Sequence, residues 1–327
     1  AKRTAIGKFL GTLTNVSPVD MAATVIKNIL EETKINPSDI DEVIVGNVLS
    51  AGQKQGIARQ ASIAGGIPKE VPAYGVNMIC GSGMKSIITA YNNIKAGDAD
   101  LILAGGTESM SGAGLVVPAS VRTGHKMGDF KTIDHMVYDG LTDAFSGLHM
   151  GITAENVAEQ YGITREQQDD FAYKSQQKAI AAIDGDKFKD EIVPVEIQTR
   201  KETIVFDTDE FPNRSTSPEK LAKLKPAFKK DGTVTAGNSS GINDGASVVF
   251  VATEKMVEKL GINLLVEIIA TGRGGVVTSV MGLGPVPAIA NALKRASLKL
   301  DDIEVIDLNE AFSSQSFGVI KQLANDQ

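Results

Sequence analysis

Apolar positions fall on a helical period just after Ser17-Pro18-Val19-Asp20. A hydroxyl N-cap, a proline at the first helical position and a carboxylate in the first turn mark a helix start. Val25, Ile26, Ile29 and Leu30 then share one face. The run EVIVGNV (42–48) predicts a strand, and 53–64 a helix closed by Gly65-Gly66. A strand over about 71–79 leads into Cys80. A helix over 82–96 ends at Gly97, and DLILAGG (100–106) predicts the next strand. Strands alternating with helices predict an α/β fold with a largely parallel sheet. The rhythm breaks over 107–240, which holds Gly- and Met-bearing loops, all three histidines and polar helices over 153–161 and 164–183. It also holds the charged stretch RKETIVFDTDEFPNRSTSPEK (200–220). Those helices keep apolar positions, so the region reads as a large insertion between sheet elements. Alternation resumes at SVVFVAT (247–253).

The chain also repeats itself. SDIDEVIVGNVLSAGQ (38–53) lies over LDDIEVIDLNEAFSSQ (300–315) without gaps. Asp39/Asp301, Glu42/Glu304, Val43/Val305, Ile44/Ile306, Asn47/Asn309 and Gln53/Gln315 are identical, and each copy follows an amphipathic helix. Two similar halves, each a helix-flanked mixed sheet, are expected to stack as layers with the insertion over one side. The expected division is an N-terminal half from 1–110 and 242–262, an inserted loop domain over 111–241, and a C-terminal half over 263–327. In the first copy a strand–helix unit bearing Cys80 follows Asn47. The second copy reaches Gln327 before any such unit. The expectation is a second half incomplete at its C-terminus, with exposed apolar surface and an open sheet edge.

Composition narrows the function classes. With 42% hydrophobic and 22% charged residues, the chain has a globular profile and can bury a sizeable core. A net charge of −7 without a basic run argues against nucleic acid. No apolar stretch approaches the length of a membrane helix. The opening AKRTAIGKFLGTL has no apolar core of a signal peptide, and a single cysteine forms no internal disulfide; both predict a cytoplasmic protein. His125 and His135 read as polar loop residues. Their spacing fits no metal motif and no second cysteine exists, so no metal is expected.

Cys80 carries the candidate chemistry. In NMICGSGMKS (77–86), a strand ending in Cys-Gly-Ser-Gly turns into a helix. Unpaired N–H groups and the positive end of the helix dipole favour a thiolate there. Gly81 and Gly83 leave room for a substrate carbonyl to approach backbone donors. Against this, a free cysteine is often a buried small hydrophobe. The residues alone leave the two readings evenly matched.

The motifs taken together go further. VNMICGSGMKS, LAGGTESMS, KMGD, YDGLTDAF, HMGITAENVAEQYGITREQQDDFA, DEIVPV, KLKPAFKKDGTVTAGNSSGINDGA and LNEAFSSQ occur in this order. They resemble the thiolase family over essentially the whole chain, and GHKMGDFKTIDHMVYDGLTDAF (124–145) is most similar to its biosynthetic acetyl-CoA acetyltransferases. The resemblance implies a thiolase-like α/β fold. It implies Cys80 as the nucleophile that becomes acetylated, and Asn309 as the residue holding a water in the oxyanion hole. His149 and Met150 would line the pantetheine end, Leu141 a wall of the acyl pocket, and Ala236 and Ser240 the pantetheine. Ala311 and Phe312 would complete the tunnel floor, and Arg214 would lie near the nucleotide phosphates. The implied reaction is ping-pong: two acetyl-CoA give acetoacetyl-CoA and CoA, with thiolysis as the reverse. The thioester is substrate and no cofactor is implied. Family members are dimers or tetramers, with the KMGD-bearing insertion as assembly element. Read without the family, Asn309 would cap the helix that follows, and His149 would be a satisfied core histidine.

The sequence also departs from the family pattern. Gly-His-Pro-x-Gly, whose His deprotonates the nucleophile, and Cys-x-Gly-Gly-Gly, whose Cys moves the α-proton, do not occur in these 327 residues. A thiol without such a base is a poor nucleophile, so the expectation is weak CoA binding and negligible turnover. Three readings follow: a biosynthetic thiolase, a catalytically impaired thiolase-like fragment or paralogue that binds CoA or acyl groups, and a condensing enzyme acting on carrier-protein thioesters. GLHMG and AGNSSG favour free CoA over a carrier protein.

Overall fold

The structure, a computed structural model, describes residues 1–325. The strands are β1 (Lys2–Thr4), β2 (Gly7–Lys8), β3 (Glu42–Gly46), β4 (Ala73–Val76), β5 (Leu101–Ser109), β6 (Leu115–Val116), β7 (Ile133–Asp134), β8 (Ile192–Val193), β9 (Val195–Gln198), β10 (Thr203–Phe206) and β11 (Asn243–Ala252). The helices are α1 (Pro18–Thr33), α2 (Ile57–Ala64), α3 (Ser82–Ala96), α4 (Met150–Gln160), α5 (Arg165–Asp184), α6 (Pro218–Ala222), α7 (Glu254–Leu260), α8 (Pro285–Ala296) and α9 (Ser313–Asn325). They form two compact units. The first comprises Ala1–Gly140, Asp186–Phe211 and Ile242–Val266, and the second Leu141–Gly185, Pro212–Gly241 and Glu267–Gln327.

The first unit is built on a mixed sheet in the order β4-β3-β5-β11-β1-β8, with β2 also on β11. β4, β3 and β5 run parallel, and β11 pairs antiparallel with β5. Ser17 caps α1 by accepting from the Asp20 N–H, and Met21, Val25, Ile26 and Ile29 are buried, as the apolar stripe predicts. They pack with Val43, Val45, Leu101 and Leu103. The alternate residues Ile44, Ile102 and Ala104 are equally buried, so these strands are covered on both faces. α3 supplies cover, with the Ser86 hydroxyl donating to the Gly105 carbonyl at 2.7 Å.

The second unit is helical. Val157, Ala158, Ile163, Leu283, Val286 and Val319 form its core. The Ser314 hydroxyl of α9 donates to the Ala154 carbonyl of α4 at 2.9 Å.

The 111–241 insertion does not form a unit of its own. β8 pairs with β1, and Val193, Val195 and Phe206 complete the first core, while α4 and α5 belong to the second unit. Each stretch follows the core that its apolar residues can enter. The two repeat copies agree locally. Each helix ends on a left-handed cap (Lys34, φ 56°; Ser297, φ 57°), and a short 3-10 turn and an extended segment follow. In the first copy that segment is β3. In the second, residues 303–309 join no ladder among the described residues, and Val305 and Ile306 are exposed. The second helix-flanked sheet expected from the repeat is therefore not assembled among them. An extended segment becomes a strand only when a neighbour completes its N–H and C=O pairs.

Candidate active site

Cys80 sits on a sharp turn between β4 and α3 in the first unit. The strand was expected to run to residue 79 but stops at Val76. Asn77 Oδ1 accepts from the Ile79 N–H at 3.0 Å, and Ser82 Oγ accepts from the Met78 N–H at 2.9 Å and donates to the Ile79 carbonyl at 2.6 Å. These bonds hold Ile79 at φ 49°, a left-handed conformation that a β-branched residue rarely adopts. Cys80 therefore emerges exposed, one residue before the Gly81 N-cap of α3. β3 passes directly beneath: a Cβ on Gly46 would lie 2.4 Å from the Ser82 carbonyl carbon, so only glycine fits. A Cβ on Gly83 would meet nothing within 4 Å, so the space beside the turn is open.

The thiol pKa is raised, against the expectation drawn from the helix N-terminus. Desolvation by the surrounding protein leaves a thiolate short of water, which is the largest effect, and the Glu108 carboxylate adds like charge. Its own backbone N–H pulls the other way and does not prevail.

In the second unit, His149 is the N-cap of α4, and its Nδ1 accepts from the Gly151 N–H at 3.0 Å. Nε2 therefore carries the proton in the neutral ring and is a donor. Burial lowers the His149 pKa, which favours that neutral form. The ring stacks on Phe228 with centroids 4.8 Å apart, and Phe228 meets Phe312 edge-on at 6.2 Å. The Met150 N–H donates to the Leu141 carbonyl. The Ser240 N–H donates to the Ala311 carbonyl at 2.9 Å, and the Ser313 N–H to the Asn238 carbonyl at 3.0 Å. Leu141, His149, Ser240, Ala311 and Phe312 thus lie on three loops joined to one another, Met150 opens α4 at the end of the first, and Ala236 lies on the loop that ends at Ser240. Asn309 is exposed on the extended segment leading to α9. It lies three residues before Phe312, which immediately precedes the first helical residue, so it does not occupy the capping position.

Residues 1–255 match the family model described as thiolase, N-terminal domain, and residues 262–327 the one described as thiolase, C-terminal domain. The chain belongs to the thiolase family. A Staphylococcus aureus (strain COL) protein named probable acetyl-CoA acyltransferase is 54% identical over 324 residues, covering 99% of this chain and 82% of that relative. The acetyl-CoA acetyltransferase of Syntrophomonas wolfei is 51% identical, with the same shares covered. The crystal structure of the Bacillus anthracis acetyl-CoA acetyltransferase superposes with a TM-score of 0.95 at 39% identity, covering 99% of this chain and 82% of that one. This thiolase is therefore an acyltransferase with the mixed α/β fold of its family.

Several residues that build the thiolase loops escaped the sequence reading. Phe228 lies in the quoted KLKPAFKKDG, but nothing in the spacing brings it to His149. A Cβ on Gly151 would lie 2.2 Å from the Phe228 ring, which explains the glycine of HMG. Buried Glu155 accepts from the Thr233 N–H and hydroxyl and the Val234 N–H, and Asp169 accepts from Asn238 Nδ2, so two carboxylates pin the TAGNSSG loop. His135, read as a polar loop residue, is buried, and its Nδ1 bonds Asp139. Arg214, read as a phosphate neighbour, is exposed and holds Asp184 through both terminal nitrogens.

Proposed function

We propose that this thiolase is an acetyl-CoA C-acetyltransferase that condenses two acetyl-CoA to acetoacetyl-CoA and CoA, and runs the reverse thiolysis. The observation that carries the reading is Cys80, exposed on a tight turn at the start of α3 with open space at Gly83. The names of the relatives support it. In the first half-reaction the deprotonated Cys80 sulfur attacks the thioester carbon; a carbon–sulfur bond forms, the bond to the CoA sulfur breaks, and CoA takes the proton. In the second, the α-carbon of another acetyl-CoA loses a proton and attacks the acetyl carbon; a carbon–carbon bond forms, the bond to the Cys80 sulfur breaks, and that sulfur takes up the proton. Asn309 would hold a water against the thioester oxygen. His149, through Nε2–H, and Met150 would meet the pantetheine end, with Ala236, Ser240, Ala311 and Phe312 lining its path and Leu141 the acyl group. No cofactor enters these steps; the CoA thioester is substrate. Homo-oligomer formation through the loop around Lys126-Met127-Gly128-Asp129, where Met127 is 91% exposed, belongs to the same reading.

A second reading, an impaired thiolase that binds CoA and takes up acetyl without condensing, is favoured by one observation. Burial and the Glu108 carboxylate raise the pKa of the Cys80 thiol, which leaves less thiolate for attack. Incubation with labelled acetyl-CoA, followed by peptide mass spectrometry and an acetoacetyl-CoA assay, separates the readings. Label on Cys80 with acetoacetyl-CoA formed supports the first, and label without product supports the second. The Cys80→Ser variant loses the label under either. Absence of label on Cys80 in the unsubstituted chain overturns acyl transfer through this residue.

A further inference from the structure

Glu108, near the end of β5, is a half-buried carboxylate that the reaction above does not use. Its Oε1 accepts from Asn47 Nδ2 at 2.9 Å and from the Leu49 N–H at 3.1 Å, and its Oε2 from the Val48 N–H at 2.8 Å. Asn47 is the first residue after β3. Its Nδ2 also donates to the Thr107 carbonyl, and its backbone N–H donates to the carbonyl of Val76, the last residue of β4 before the turn. One residue earlier, Gly46 lies against the backbone of Ser82, and Gly106 of β5 against the Cα of Gly83. A continuous chain of contacts therefore runs from the Glu108 carboxylate through Asn47 and Val76 to the turn that carries Cys80.

Uncharged acceptors such as backbone carbonyls could satisfy the same three donors. A carboxylate adds a negative charge, and that charge acts on Cys80. We propose that Glu108 is a positioning residue for the nucleophile: through Asn47 it fixes the turn bearing Cys80, and it does so with a carboxylate rather than an uncharged acceptor. This rests on Cys80 being the acyl acceptor. Other titratable groups stand differently. His135 faces Glu108 from beyond β7 and is itself paired with Asp139. Lys85 lies on α3 one turn past Cys80, and Glu42 and Tyr74 lie toward the opposite ends of β3 and β4, bonded to each other.

The test is the pH profile of Cys80 alkylation by iodoacetamide. It needs no CoA chemistry, so its failure is distinguishable from failure of acyl transfer, and no other thiol contributes in a chain with one cysteine. Glu108→Gln keeps the size and removes the charge. Its midpoint is expected to move to lower pH and its rate at neutral pH to rise, whereas Glu108→Asp restores a high midpoint. A Glu108→Gln midpoint that stays in place or rises overturns the proposal. Asn47→Ala keeps the charge and removes one arm of the contact chain. Faster amide exchange at Val48, Leu49 and the 77–80 turn is expected, without a fall in midpoint. Unchanged exchange there overturns the positioning role, and decides the matter if Glu108→Gln does not fold.

Discussion

Ile79 shows what the turn before Cys80 costs. A non-glycine residue in the left-handed region is disfavoured by about 1–2 kcal/mol, and the two substituents on its Cβ do not ease the crowding. The side chain is 45% exposed, so burial returns little. Asn tolerates the same backbone, and the substitution leaves the Asn77 and Ser82 bonds in place. Ile79→Asn is therefore expected to stabilise the chain by about 1 kcal/mol, read as a higher denaturant midpoint. An unchanged or lower midpoint would show that the turn does not carry this strain. The motif NMICGSG disclosed the proposed nucleophile but not the strain, because a left-handed φ at a β-branched residue has no sequence signature. The raised Cys80 pKa was hidden likewise: it depends on atoms around the sulfur and on Glu108, 28 residues further along (108 − 80).

Elements were more legible than the loops between them. α1 starts on its predicted cap and buries its predicted face, and α3 spans 82–96 as read, because capping and a period of 3.6 are local properties. The TAGNSSG loop was legible as a motif, yet what holds it came from elsewhere in the chain. Glu155, 4% exposed on α4, satisfies the Thr233 and Val234 amides. Removing its carboxylate leaves those donors unpaired, the Val234 N–H in a buried position. Glu155→Ala is expected to destabilise the chain by about 2–4 kcal/mol in denaturant unfolding, with Glu155→Gln in between. A loss below about 0.5 kcal/mol, the range of an ordinary surface change, would contradict this account of the loop.

At the scale of the whole molecule, each unit has its own core. Leu103 is buried in the first and Leu283 in the second. Each truncation to Ala is expected to cost about 2–5 kcal/mol. Amide exchange locates the effect: Leu103→Ala should speed exchange in β3 and β5, and Leu283→Ala in α4 and α9. Equal acceleration of both sets by either substitution would mean that the cores do not open separately.

The sequence by itself determined the alternation of helix and strand from α1 to β5, the internal repeat, the family and the cysteine at the head of α3. Each of these is written in local period, capping chemistry or contiguous motif. Only the tertiary structure decided that the 111–241 stretch is shared between two units, that residues 303–309 find no ladder partner among the described residues, and that His149 stacks on Phe228. It also decided that Glu108 grips the end of β3 behind Cys80. These depend on which distant segments meet, and burial, hydrogen-bond partners and charge at a site are set by that meeting rather than by neighbours in the chain.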